Sequence, residues 1–250
     1  MDASLAARYH FDDFTEDGYR RILRAARAGY AFEPFGADTE RPHVLWRHDI
    51  DISLQRGVKL ARIEAEEGVR ATYFLFLRSE FYNLLEPSVL GAAKEILELG
   101  HWLGLHFDAA AYPQLQSEEE LAEKLATERD WLCGHLEHPV GAFSFHNPTI
   151  RGIDFRADEM AGMRNTYGRE LNERYSYVSD SNGYWRHRRL PEVVEAAEEP
   201  RLHVLTHPEW WQAEPMAPRD RVMRSIEGRA RRVEQNYDRI LETWNRENIR

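Results

Sequence analysis

Metal-assisted or acid–base chemistry needs imidazoles, carboxylates or thiolates placed so that they can meet, and this chain of 250 residues offers eleven histidines, 43 acids and one cysteine. A lone Cys133 excludes an internal disulfide and a CxxC metal knuckle. A bound metal would therefore be held by imidazoles and carboxylates. These residues fall in short clusters: Arg47-His48-Asp49-Ile50-Asp51, His106 with Asp108, His146-Asn147-Pro148, Asp180, and Thr206-His207-Pro208. Such a His/Asp set suits one divalent cation of borderline hardness, zinc first, with iron, cobalt or manganese as alternatives. Three protein ligands with an open position would leave room for an activated water. The sequence carries no Walker loop, GxGxxG, GxSxG elbow or HExxH.

The elements that must position these groups follow a rhythm of helix, glycine, strand and polar tip. A first helix is expected over about 15–29, with Thr15 as N-cap and Gly29 as stop signal. A strand over 43–50 ends at Asp49 and Asp51, and Ser53 caps a helix that ends at Gly68. Residues 71–77 (ATYFLFL) read as a strand buried on both faces, ending at Arg78. Pro87 opens a helix that Gly100 closes, and 102–107 is the next strand, with His106 and Asp108 at its tip. Ser117 and Glu120 form a capping box ahead of a helix running towards Cys133. Strands over 142–145, 175–179 and 202–206 lead to His146, Asp180 and His207. Val222, Ile226, Val233, Tyr237, Leu241 and Trp244 keep helical spacing in a long C-terminal helix, about 218–247. The stretch from about Arg151 to Arg201 fits the rhythm poorly and suggests antiparallel excursions or an elaborated loop.

Strands alternating with helices imply α/β architecture: an irregular or incomplete (β/α) barrel, with an open doubly wound sheet second. In a parallel barrel the working residues project from the carboxyl ends of the strands. Acids, histidines or arginine at nearly every tip are therefore expected to converge on one mouth. The apolar share of 42% and charged share of 30% exclude wholesale disorder, and a net charge of −10 disfavours a partner bound through its phosphate backbone, such as nucleic acid. Neither a signal peptide nor an apolar run of about 20 residues is visible, so a cytoplasmic location without a membrane span is expected.

Three of these clusters resemble the motifs of polysaccharide deacetylases, the family 4 carbohydrate esterases. His48-Asp49-Ile50-Asp51 resembles the first motif, in a divergent Arg-His-Asp-x-Asp form. Gly100-His101-Trp102-Leu103-Gly104-Leu105-His106 resembles the second, and Leu205-Thr206-His207 the last. The resemblance spans roughly Val44 to His207. It implies one catalytic domain of that type over 1–250, Asp49 as general base, His207 as general acid, and Asp51 and His106 as metal ligands. The family's second metal histidine would fall at Ala110, so another residue must complete the triad. His146 is preferred over Asp108 there. Arg47, Asp180 and Trp210 are the implied substrate-side residues. Asp180 also stands as an orienting acid, and Trp210 and Trp211 stand as sugar platform or as packing.

The activity implied is metal-dependent hydrolysis of an N-acetyl group, or another amide-linked acyl group, on a small-molecule or oligosaccharide substrate. Two alternatives stay open. One is another metal-dependent barrel hydrolase, of phosphoesterase or amidohydrolase type, although the first strand lacks the usual HxH pair. The other is a non-catalytic carbohydrate-binding relative, which Ala110 makes conceivable. His10, His43, His101, His135, His138, His187 and His203 are read as surface or packing residues.

Overall fold

Alternation along the strand His43–Ile50 sorts the whole molecule into an inside and an outside. Successive side chains of a strand point to opposite faces. Val44, Trp46 and Ile50 join the large apolar cluster beneath the helices, while Leu45 joins a small cluster with Phe35, Phe74, Ala142 and Leu171 on the other face. Arg47 and Asp49 share the parity of Leu45 and so face the inner side, with Asp51 one step beyond.

The computed structural model describes residues 3–147 and 155–249. Pro148 and the first residues of the poorly patterned stretch, 151–154, lie outside the described residues, as do residues 1, 2 and 250 at the ends of the expected 1–250 domain. In chain order the elements are α1 (Ala3–Arg8), α2 (Glu16–Gly29), β1 (Ala31–Phe32), β2 (His43–Ile50), α3 (Leu54–Glu66), β3 (Thr72–Phe76), α4 (Pro87–Glu98), β4 (Trp102–Phe107) and α5 (Glu118–Leu136). They continue with β5 (Val140–Phe145), β6 (Glu159–Met160), β7 (Met163–Asn165), α6 (Arg169–Arg174), β8 (Ser176–Ser179), α7 (Leu190–Ala196), β9 (Arg201–Thr206) and α8 (Pro218–Thr243).

The sheet runs β6-β7-β5-β4-β3-β2-β9-β8, with β1 paired to the start of β2. Every ladder is parallel except β6–β7. Because β9 returns to pair with β2, strand order is cyclic and interrupted once, between the β6–β7 pair and β8, where no ladder joins the described residues. That is an incomplete (β/α) barrel; a doubly wound sheet would reverse its order at a switch point instead. The expected antiparallel excursion is the β6–β7 pair.

Local signals explain most boundaries. The Thr15 side chain accepts the Gly18 amide at 2.9 Å, Ser53 accepts that of Arg56 at 3.4 Å, and Ser117 accepts that of Glu120 at 3.2 Å. Gly29 does not act as a left-handed stop; α2 simply runs into extended Tyr30. Gly104 is required by packing: a Cβ there would lie 2.5 Å from the ring of its cross-strand neighbour Phe74. No helix of the described residues is long and apolar enough to cross a membrane.

Candidate metal centre and active site

The carboxyl ends of β2, β4 and β5 bring Asp51, His106 and His146 together, with one ligand atom from each lying within 4.8 Å of the others. Asp51 Oδ1 stands 3.0 Å from His106 Nε2 and 3.5 Å from His146 Nδ1, and the two imidazole nitrogens are 3.3 Å apart. Oδ1 is buried and accepts no hydrogen bond. A buried carboxylate oxygen facing two imidazole nitrogens, without a donor directed at it, is what a cation would satisfy. The donor set of one carboxylate and two imidazoles fits one divalent metal of the zinc type. Burial would push the Asp51 carboxyl up, yet the neighbouring His106, His146 and His207 rings hold it well below the usual range. His146 is raised by its interaction with Asp51, against the effect of its burial. The two directions are one interaction seen from both sides: the imidazoles keep Asp51 anionic, and Asp51 in turn attracts positive charge to this corner.

Behind His106 lies a second layer. Its Nδ1 is 2.7 Å from Ser144 Oγ, which in turn donates to Asp49 Oδ1 at 3.3 Å. Asp49 Oδ2 accepts from Arg47 Nη2 at 2.9 Å and lies 3.5 Å from His106 Nδ1. The His106 ring thus stands between two carboxylates, Asp51 on its Nε2 side and Asp49 on its Nδ1 side. With Nδ1–H donated towards Ser144, the Nε2 lone pair faces Asp51, the tautomer a metal ligand needs.

His207, at the tip of β9, is oriented by Asp180: one carboxylate oxygen accepts Nδ1–H at 2.7 Å and the other accepts the His207 amide at 3.0 Å. His207 Nε2 lies 3.9 Å from Asp51 Oδ2. Burial works against the imidazolium, but the Asp180 carboxylate outweighs it and holds His207 up at about 10. Two residues on, Glu209 is 1% exposed and neither carboxylate oxygen has a hydrogen-bond partner. Burial, followed by the negative charge of Asp51, pushes its carboxyl up to about 8.

The residues anticipated from the sequence are placed as follows. Arg47 does not open onto the cleft: it is 1% exposed, lies 5.5 Å from the rings of both Phe74 and Tyr167, and binds Asp49. Asp180 is fully buried, with both oxygens spent on His207. Trp210 is half-buried, its ring 6.5 Å from that of His207. Trp211 is no sugar platform, because it is fully buried against Tyr19 and Phe14 in the core under the helices. Asp108 turns to cap the three-residue turn after β4, accepting the Ala110 amide at 3.0 Å, and is not one of the three converging ligands. Ser144, Tyr167 and Glu209 escaped the sequence reading. Ser144 did carry a signal, as a polar residue two positions before His146 in an otherwise apolar strand; Glu209 carried none.

No protein-family model matches the chain, and no curated protein matches it. Among solved structures it is similar to a Streptococcus pyogenes deacetylase, PplD, solved in complex with acetate: 14% identity, 84% of this chain and 86% of that chain covered, TM-score 0.42. At that identity no residue role transfers from it.

Proposed function

We propose that this protein is a metal-dependent hydrolase that removes an N-acyl group, acetyl in the simplest case, from an amino sugar or related amide. One observation carries the reading: the orphaned Asp51 oxygen facing His106 and His146, with an Asp180-oriented histidine 3.9 Å from the same carboxylate. A metal site with an adjacent acid suits amide hydrolysis, in which an oxyanion forms and a poor leaving group must be protonated.

Asp51, His106 and His146 would hold the cation. A divalent metal supplies Lewis-acid polarisation of the amide carbonyl and lowers the pKa of the attacking water. The chain's own groups move the protons. Water adds to the carbonyl carbon as its proton passes to a carboxylate; the adduct then collapses, the C–N bond breaks, and His207, held as imidazolium by Asp180, gives its Nε2 proton to the departing amine. Trp210 lies beside His207, where an apolar ring face suits a sugar.

Two carboxylates compete as proton acceptor. Asp49, which the family resemblance implies, is fixed by Arg47 and Ser144 on the far side of His106 from Asp51. Glu209 sits beside His207 with both oxygens unspent. We assign the proton to Asp49, whose carboxylate is paired with the Arg47 guanidinium at 2.9 Å. A Glu209 carboxyl held up at about 8 is mostly protonated at neutral pH and has no room for a further proton.

Acetate release and bound metal, measured together on Asp49→Asn and Glu209→Gln, test the assignment. Asp49→Asn should lose about 100-fold or more in kcat, and excess metal should not restore it. Glu209→Gln, a neutral replacement for a mostly protonated carboxyl, should keep its metal and turn over close to the wild type. If excess metal rescues Asp49→Asn while Glu209→Gln is inactive, the base is Glu209 and Asp49 only orients His106. If the wild type takes up no zinc, cobalt, iron or manganese, the hydrolase reading is wrong.

A further inference from the structure

A second feature of the same face is a cavity of about 190 Å³ between the start of α3 and α8. Five arginines line it, Arg56 from α3 and Arg224, Arg229, Arg231 and Arg232 from α8, and no acidic residue does. In a chain of net charge −10 this is a pronounced local reversal. Carboxylates beyond the wall balance part of it: Glu16 lies 3.1 Å from Arg56, Glu86 is 2.5 Å from Arg229, and Glu227 is 3.6 Å from exposed Arg231. Arg224 reaches only the Met216 sulfur, at 3.7 Å, and Arg232 has no hydrogen bond or ion pair among the described residues. Arg232 acts on Glu86 through its charge alone. Among the described residues three carboxylates, Glu16, Glu86 and Glu227, therefore face five arginines, and the exposed Arg224 has none of its own.

The wall also holds unspent polar atoms. Gln55 Nε2 and Arg56 Nε are buried without hydrogen-bond partners, and Gln212, 1% exposed, has an unpartnered Oε1. Ser53, the N-cap of α3, lines the cavity, so the positive end of a 13-residue helix meets the same space. Buried donors without acceptors are unfavourable, and an anion would satisfy those of Gln55 and Arg56, while the Gln212 oxygen, an acceptor, suits a protonated oxygen of a hydrogen phosphate.

Position ties the cavity to the metal centre. Ile52 and Ser53 in its wall directly follow Asp51, and two residues of chain span at most about 7 Å. The cavity is smaller than the roughly 300–1,000 Å³ that takes a whole drug-sized ligand, so it suits one substituent. A phosphate monoester carries about −1.5 to −2 at pH 7, which matches an excess of two guanidiniums over carboxylates better than a singly charged carboxylate does.

We infer that this arginine-lined cavity binds a phosphoryl group, carried by the N-acylated sugar whose amide lies at the Asp51–His106–His146 centre. The binding site stands on its own geometry, whereas the link to the substrate rests on the hydrolase reading. The test uses the full chain as purified. Inorganic phosphate is titrated by calorimetry into the wild type, Arg224→Glu/Arg232→Glu and the milder Arg224→Gln/Arg232→Gln, with circular dichroism as a check on folding. Acetate release is compared for N-acetylglucosamine and N-acetylglucosamine 1-phosphate. The expected results are phosphate binding that weakens at least tenfold in both double variants, and a kcat/KM at least tenfold higher for the phosphorylated sugar. The variants should abolish that preference while hydrolysing N-acetylglucosamine like the wild type. Absent binding, or binding equal in all three proteins, overturns the site. Phosphate binding with no preference between the sugars overturns the substrate link and leaves a site for free phosphate. Variant-sensitive phosphate binding with neither sugar hydrolysed supports the site and removes the hydrolase reading instead.

Discussion

His207 and Asp180 show how one contact sets a histidine's chemistry. Burial should make the imidazolium costly, yet the charge of a fully buried carboxylate and its bond to Nδ1 reverse the balance and place His207 at about 10, against an ordinary 6.5. A group whose folded pKa is raised contributes stability that is complete below its unfolded value and is lost as pH rises through its folded value. In chelator-stripped protein, the His207 contribution is thus complete below about 6.5 and disappears between there and about 10. Each unit of displacement is worth about 1.4 kcal/mol. Urea denaturation midpoints between pH 6.5 and 10 should fall more steeply for the wild type than for His207→Gln. Parallel slopes would mean that His207 is neutral in the folded state, and its role as proton donor would fall with the pairing.

Between elements, a fully buried polar knot ties the outer helices to the sheet. Glu64 of α3 accepts from Tyr19 of α2, from Tyr73 of β3 at 2.6 Å, and lies 2.6 Å from His48 Nε2 of β2 and 3.5 Å from His101 ahead of β4. Thr206 at the end of β9 reaches the other His48 nitrogen at 2.6 Å. Burial pushes both tyrosine hydroxyls up, so they stay neutral donors, and the His48 contact holds the Glu64 carboxyl below its usual value despite its burial. Glu64→Gln turns an acceptor of several donors into a group with two donors of its own, and should cost about 3–5 kcal/mol in urea denaturation. Glu66→Gln, exposed two residues along, should stay within about 0.5 kcal/mol; equal effects would mean that the knot contributes nothing. The knot also shows what sequence conveys and what it withholds. Strand parity sends Asp49 and Asp51 inward and His48 outward, so His48 serves packing although it stands inside the most motif-like stretch of the chain. Caps, glycine stops and period-two alternation made the strands, most helices and the strand-tip residues legible, because each is a local signal. Glu64, Ser144 and Glu209 were hidden because their meaning lies in partners up to 95 residues away or in the lack of any partner.

On the scale of the whole molecule, the barrel is interrupted between the β6–β7 pair and β8, while the three proposed ligands stand at the ends of β2, β4 and β5, on the continuous side of the sheet. A metal there would join the end of β2 to the ends of the adjacent β4 and β5 across the intervening β3, and would favour the folded chain by mass action, since the unfolded chain lacks the site. The gain is about 2.7 kcal/mol when free metal stands at a hundredfold of Kd. For a chain of this size about 1 kcal/mol moves Tm by about 2–4 °C, which gives a rise of about 5–11 °C between chelator-treated and zinc-saturated protein in scanning calorimetry. His106→Ala should remove the rise by taking away the central imidazole, and Asp108→Ala, which only loses a turn cap, should retain it. If zinc raises Tm equally in His106→Ala, the ion is binding elsewhere on a histidine-rich chain. If Asp108→Ala loses the rise while His146→Ala keeps it, the third ligand lies on the turn after β4 and not on the tip of β5.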